Sequence, residues 1–323
     1  MELPAPLRQA IDRQLEGIAL PALRQAARTL SERYRAELRD GRLHMAEDLA
    51  VHAYLAARMP ATYAAVRASL ESMGEALPAF SPKTLLDIGA GPGTVLWAAA
   101  DLWPDLRQAT LVEASPAART VGARLMSEGG LAVEANWIGA DASIGLDGLE
   151  GADVVSAAYL LDELAPASRP KLIGRLWALT AGTLLVVEPG TPAGWRRILE
   201  ARGQLVEAGA HIAAPCPHHD PCALAAPDWC HFSRRVARSR IHRLTKDAEV
   251  PWEDEKFIFL AASRQPVASR RPRVLAPPKF GSGKVALKLC QPDGSVEERL
   301  FTKRDGSTFK AARRAGWGDT LID

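Results

Sequence analysis

The chain has 323 residues, 47% of them hydrophobic and 24% charged, with a formal net charge of +2 and four cysteines. That is enough to bury a full core and to build two or three structural units. No run approaches the roughly 18 apolar residues that cross a bilayer, and Met1-Glu2-Leu3-Pro4-Ala5-Pro6 lacks the basic start and apolar stretch of a secretion signal, so the sequence reads as a cytoplasmic, monomeric globular protein with no membrane partner. The small net charge hides an asymmetry, because the residues before His231 sum to −7 and the rest to +9. A basic end is the footprint of polyanion binding, since lysine and arginine displace the counterions condensed on phosphates; a solvated basic face is the plain alternative.

In chain order, residues 3–77 are rich in Ala, Leu and Arg with apolar positions three and four apart, punctuated by Asp40-Gly41 and Pro60. This predicts an N-terminal helical unit over 1–80. After a linker at 78–82, strands are expected at 84–88, 109–112, 137–139, 154–157 and 183–187, with a helix at 94–102 and room for one in each later gap. That alternation predicts an α/β domain over 81–265 with a mostly parallel sheet covered on both faces, completed by a late strand at 256–260. Residues 216–228 are crowded with Pro, His and Cys without a period, inside a Cys-rich, basic insertion of about 205–250. Ser269-Arg270-Arg271-Pro272-Arg273 and Pro277-Pro278 lead into a small, basic, β-rich extension, 266–323, with strands expected at 284–290 and 296–302.

The first strand runs into Asp87-Ile88-Gly89-Ala90-Gly91-Pro92-Gly93 and then a helix, an arrangement that brings main chain close to a ligand without interference from Cβ atoms. A structural turn or a dinucleotide site has to be weighed against it, and the glycine spacing is not Gly-x-Gly-x-x-Gly. Glu113, 24 residues after Gly89 at the end of the second strand, can accept both ribose hydroxyl protons, and Asp141 after the third can face an adenine amino group. Singly, each reads as a strand-end or cap residue. Together they predict an S-adenosylmethionine site in a class I methyltransferase Rossmann-like domain, held by Asp87, Gly89, Ala90, Gly91, Gly93, Glu113 and Asp141. After the fourth strand, Ala158-Tyr159-Leu160-Leu161-Asp162-Glu163-Leu164 offers Asp162 and Glu163 as general bases, although acids at a helix start explain them equally well. The Asn/Asp-Pro-Pro-aromatic element that receives a base amine is absent from the sequence.

Cys216, Cys222 and Cys230 fall within fifteen residues and Cys290 sixty further on. In a chain without a secretion signal, shared ligation of a metal explains this clustering better than disulfides do. The spacings match neither zinc knuckles nor the ferredoxin run, so chemistry alone leaves zinc and iron–sulfur open, with histidines 211, 218, 219, 231 and 242 as substitute ligands. Arg234, Arg235, Arg238, Arg240, Arg243 and Lys246 follow with no acid among them, which predicts a phosphate-gripping surface, with Trp229, His231 and Phe232 for stacking on bases.

Tyr54-Leu55-Ala56-Ala57-Arg58-Met59-Pro60, the glycine loop, Leu161-Asp162-Glu163-Leu164, Glu188-Pro189-Gly190-Thr191-Pro192 and the Cys-Pro-His, Trp-Cys-His-Phe and later Cys series resemble the methyltransferase-like ribosomal small-subunit proteins. The resemblance implies a four-iron four-sulfur cluster on Cys216, Cys222, Cys230 and Cys290 beside an S-adenosylmethionine pocket, in a protein that binds small-subunit ribosomal RNA or an immature small ribosomal subunit and assists its assembly. The alternatives are an active rRNA methyltransferase and a zinc-stabilised small-molecule methyltransferase.

Overall fold

The amphipathic start of the chain becomes four helices, α1 (Ala5–Leu15), α2 (Leu20–Arg35), α3 (Asp48–Ala57) and α4 (Met59–Ala76). Three of them carry proline in the first turn, where the missing N–H has no partner to lose. Pro60 therefore opens α4, and α3 and α4 abut at Arg58. The computed structural model describes residues 1–37, 40, 42–142 and 145–321; Gly41 of the expected Asp40-Gly41 break lies outside them.

Then follow β1 (Thr84–Ile88), α5 (Thr94–Leu102), β2 (Gln108–Val112), α6 (Pro116–Gly129), β3 (Glu134–Ile138), β4 (Ala152–Ala158), α7 (Arg169–Leu179), β5 (Thr180–Pro189), α8 (Pro192–Glu207), β6 (His211–Ala214), β7 (Phe232–Ala237), α9 (Arg240–Lys246) and β8 (Trp252–Ser263). The sheet order is β3-β2-β1-β4-β5-β8-β6. β1 to β5 are parallel, and β8 runs antiparallel to β5 and β6. The chain leaves β1 in one direction toward β3 and resumes on the other side at β4, so a crevice opens at the carboxyl ends of β1 and β4, where ligands of open α/β sheets bind.

The late strand is longer than the sequence suggests. The second half of β8 is buried between β5 and β6, and its first half, beyond the sheet, pairs with β7 in the register Arg235↔Asp254 and Val236↔Glu253. Within the expected insertion the one long stretch without a helix or strand is 215–231. A second antiparallel sheet, β9 (Arg273–Val274), β10 (Lys279–Gly281), β11 (Lys284–Cys290) and β12 (Val296–Thr302), is closed by α10 (Gly306–Arg314). It has a satellite core that includes Val285, Leu287, Leu289, Phe301 and Phe309. No helix among the described residues is long and apolar enough to cross a membrane.

Candidate functional site

The turn from β1 to α5 places Gly89, Gly91 and Gly93 at φ of +71°, +54° and +86°, a region that side chains rarely adopt. A Cβ on Gly89 would also stand 2.9 Å from Leu160 Cδ1. Glu113 braces the loop from β2: Gly91 N donates to its Oε2 at 2.8 Å and Ser115 N to its Oε1 at 2.7 Å. Each oxygen keeps a second lone pair for a hydroxyl donor. A cleft of about 350 Å³ opens here, with Gly89, Glu113, Asp141, Glu163, His44 and Met45 in its walls. Ser115 Oγ donates to Met45 O at 2.5 Å, which ties the segment between α2 and α3 across the cleft.

The expected cofactor residues thus divide. Gly89, Glu113 and Asp141 line the cleft, while Ala90 and Gly91 line an adjoining cavity. Gly93 caps α5, and Asp87 lines neither space. Fully buried, Asp87 accepts a hydrogen bond from Ser156 Oγ at 2.7 Å, and burial, opposed by that bond and aided by the charge of Glu113, pushes it to about 7. It joins β1 to β4 beneath the loop.

The adjoining cavity, of about 90 Å³, shares Gly89 and Met45 with the cleft. Tyr34, Tyr54, Arg58, Tyr159, Asp162 and Pro189 are among the residues of its wall. Tyr159, straight after β4, has φ of +56°; its N–H donates to Val187 O at 2.7 Å and its hydroxyl to Glu255 Oε1 at 3.1 Å. A bulky side chain held in this region stores strain of order 1 kcal/mol and persists only where its surroundings over-determine it. Sequence reasoning gave these tyrosines no role of their own: they come from three separate segments, and Tyr54 and Tyr159 stood out only as parts of longer stretches.

Asp162 and Glu163 part company, Asp162 facing the small cavity and Glu163 the cleft. Burial, then the charges of Asp162, Glu113 and Glu188, push Glu163 up to about 8, although 35% of its side chain is exposed. Glu188 holds the turn between them: its Oε1 accepts Leu161 N at 3.0 Å, and its Oε2 accepts Arg197 Nε at 2.5 Å, with Arg197 continuing to Glu37 at 3.0 Å.

Cys216 lies two residues after β6, Cys230 two before β7, Cys222 in the loop between, and Cys290 at the end of β11. All four line one largely apolar cavity against Trp195 and Ile198 of α8, and all are free thiols. Burial, then the proximity of the other sulfurs, raises Cys230 well above the ordinary thiol range and Cys290 to about 12. His218 Nε2 is 3.3 Å from Cys290 Sγ. Among the described residues no three His, Cys, Asp or Glu stand in metal-holding geometry. The expected metal-binding insertion is therefore seen as a convergence of four cysteines and not as a formed metal site.

Buried arginines pin this loop. Arg202 donates to His218 O at 2.9 Å and Asp220 O at 2.8 Å, and Arg273 to Pro215 O at 3.1 Å and Gly318 O at 2.8 Å. Trp229 stacks on His231, which meets Trp317 edge-on.

The run of cations after Cys230 differs from its expectation. It has no acid of its own, but strand pairing supplies them: Arg235 meets Asp254 at 2.9 Å, Arg238 and Lys246 meet Glu253 at 2.9 and 2.7 Å, and Arg234 meets Glu71 of α4 at 3.2 Å. Of this run, Arg240 and Arg243 have no ion pair among the described residues. Phe232 is buried against Phe257 and Phe259 and is closed to bases.

Strand order, the glycine turn after the first strand and the carboxylate after the second define a Rossmann-like domain of the class I methyltransferase type. The family described as Mitochondrial small ribosomal subunit Rsm22 matches residues 48–322, and the chain belongs to it. It is similar to the human mitochondrial ribosome assembly protein METTL17, with 31% identity over 83% of this chain and 61% of that protein. It is also similar to the mitochondrial Rsm22-cox11 tandem protein 2 of Schizosaccharomyces pombe, with 23% identity over 84% of this chain and 43% of that protein. The chain thus spans about half the length of the curated relatives it matches. An O-methyltransferase family protein from Burkholderia thailandensis overlaps at a TM-score of 0.43 with 15% identity, covering 81% of this chain and 72% of the other. The fold assignment rests on the strand order and not on that overlap.

Proposed function

We propose that this protein binds S-adenosylmethionine in the cleft at Gly89, Glu113 and Asp141, carries an iron–sulfur cluster on Cys216, Cys222, Cys230 and Cys290, and binds small-subunit ribosomal RNA to assist assembly of the small ribosomal subunit. The observation that carries this reading is the pairing, in one member of this family, of a nucleoside-sized cleft with a cavity walled by four thiols. The printed name of the human relative, a ribosome assembly protein, supports the process.

Both sites have the chemistry their guests need. Glu113 and the exposed backbone at Gly89 suit a ribose, and the bound cofactor would supply an electrophilic methyl on a sulfonium. Four thiols suit a cubane cluster, and the buried Arg202 and Arg273 offset the negative charge of four thiolates. The test is an anaerobic absorption spectrum with iron, sulfide and zinc analysis of the same sample. A broad band near about 400 nm with roughly four irons per chain is the expected result; a colourless protein with one zinc overturns the cluster. A second reading, a working rRNA methyltransferase, is favoured by the tyrosine-walled cavity on the far side of Gly89. Methyl incorporation into rRNA that a Gly91→Ala variant abolishes separates it from the first.

A further inference from the structure

The tyrosine-walled cavity is not sealed. Through Tyr34, Arg58, Asp162 and Pro189 it continues into a groove of about 640 Å³ between α2 and α9. Arg24, Arg28 and Arg35 of α2, Arg58, and Arg238 and Lys246 line this groove with three acids, Glu37, Asp162 and Asp247; of the cations, Arg58 is paired with Glu255, and Arg238 and Lys246 with Glu253. At 100° per residue, positions 24, 28 and 35 fall within about 40° of one another, so a single face of α2 presents all three. Arg24 is engaged by Leu244 O at 2.6 Å and Asp247 at 3.4 Å. Arg28 and Arg35 are exposed, and neither has an ion pair among the described residues. Arg28 donates to Gln25 Oε1 at 2.7 Å and Arg35 to Ser31 O at 3.2 Å, which leaves most of the five N–H groups of each guanidinium for a ligand.

We propose that this groove is a track for single-stranded nucleic acid, with phosphates on Arg28 and Arg35 and one base turned into the slot formed by Tyr34, Tyr54 and Tyr159 beside the cofactor loop. The inference rests on the reading that the chain binds RNA, and it moves the contact from the Arg234 to Lys246 run to α2. The chemistry favours this guest over an acidic peptide. Carboxylates would satisfy the arginines but leave the aromatic slot without a planar occupant, whereas every base offers a face for stacking. Tyr159, inside the slot, is held at positive φ and by its bond to Glu255, so it is a wall fixed before a base arrives.

The test uses the full chain and a twelve-nucleotide single-stranded oligoribonucleotide with 2-aminopurine at its centre, read by anisotropy and by 2-aminopurine emission over a salt series. The Arg28→Glu/Arg35→Glu variant is expected to bind at least tenfold more weakly and to flatten the salt slope by about 1.4, since each single-strand phosphate contact contributes about 0.7. Its thermal shift with S-adenosylhomocysteine should stay at the wild-type value, because the cleft is untouched. Tyr34→Ala is expected to leave the slope alone and to relieve quenching of the 2-aminopurine. If the double reversal binds within twofold of wild type while Arg240→Glu/Arg243→Glu abolishes binding, the groove is overturned and RNA binding by this chain stands. If polyglutamate of equal charge competes as well as the oligonucleotide, the base slot is overturned. If the wild-type chain binds no oligonucleotide at any salt, both readings fall.

Discussion

Glu163 stands where the cleft concentrates negative charge, with Asp162, Glu113 and Glu188 around it. An acid whose folded value is raised keeps a proton that the unfolded chain has lost, so it subtracts stability as pH climbs from about 4.5 toward 8. Glu163→Gln is therefore expected to raise the melting temperature most at pH 8.5, with the gain shrinking steadily toward pH 5. Thermal melts across pH check this; about 1 kcal/mol is the expected ceiling, because a third of the side chain is in water. The same charge bears on the ligand. A sulfonium cation favours ionised Glu163, so S-adenosylmethionine should bind more tightly as pH rises from 6 to 8, and the neutral thioether of S-adenosylhomocysteine should show a smaller slope in parallel calorimetric titrations. A flat difference between the two would separate Glu163 from the sulfonium. Gly122 is a quieter case. A Cβ there would lie 2.6 Å from Trp137 Cη2 and 3.1 Å from the Pro92 backbone, so Gly122→Ala should cost about 1–3 kcal/mol in denaturant melts and weaken the cofactor loop that Pro92 belongs to. The glycine loop, Glu113 and Asp141 were legible in the sequence because a strand, a turn and a fixed spacing are local signals. Gly122 and the three tyrosines were not, since what surrounds them comes from other elements, Trp137 and Pro92 at Gly122 and Val187 and Glu255 at Tyr159, and no local spacing announces it.

Among the elements, β8 and the 215–231 loop carry most of what the sequence concealed. β1, α5, β11 and β12 begin and end where periodicity and turn residues put them. β7, by contrast, reads Phe-Ser-Arg-Arg-Val-Ala with no clean alternation, and its partners on β8 turn an apparent basic patch into ion pairs. The exposed Arg235–Asp254 pair contributes little to stability, and the pairs on Glu253 are partly buried, but all of them occupy the cationic groups that a phosphate would need. The cysteine loop is organised by side chains reaching in from neighbours. Arg202→Ala would strand the carbonyl of the buried His218 and remove a second bond, to the carbonyl of the exposed Asp220, at a cost of about 2 kcal/mol. The expected outcome is loss of bound iron on purification, with binding of S-adenosylhomocysteine retained; full iron occupancy in this variant would show that the thiols hold the loop without Arg202.

Over the whole molecule, the C-terminal sheet owns only a small core and is attached to the loop through Cys290, Arg273, the Lys288–Asp228 pair and Trp317. Extraction of metal by an anaerobic chelator should therefore expose the 264–272 connection to limited proteolysis while the main sheet stays protected, and a digestion pattern unchanged by the chelator would count against metal as the fastening. Two layers of the molecule were readable from the start, the helical unit and the alternating sheet, because each is written in one repeating period. How the helical unit roofs the cleft was not, for that depends on Met45 and Tyr34 reaching across to a loop some fifty residues further on. One consequence concerns ancestry. The family match begins at residue 48, so Tyr34 and the arginines of α2 stand before the matched stretch. Exchanging the first 47 residues for those of a relative is expected to change that wall and leave the floor at Gly89 and Glu113 as it is.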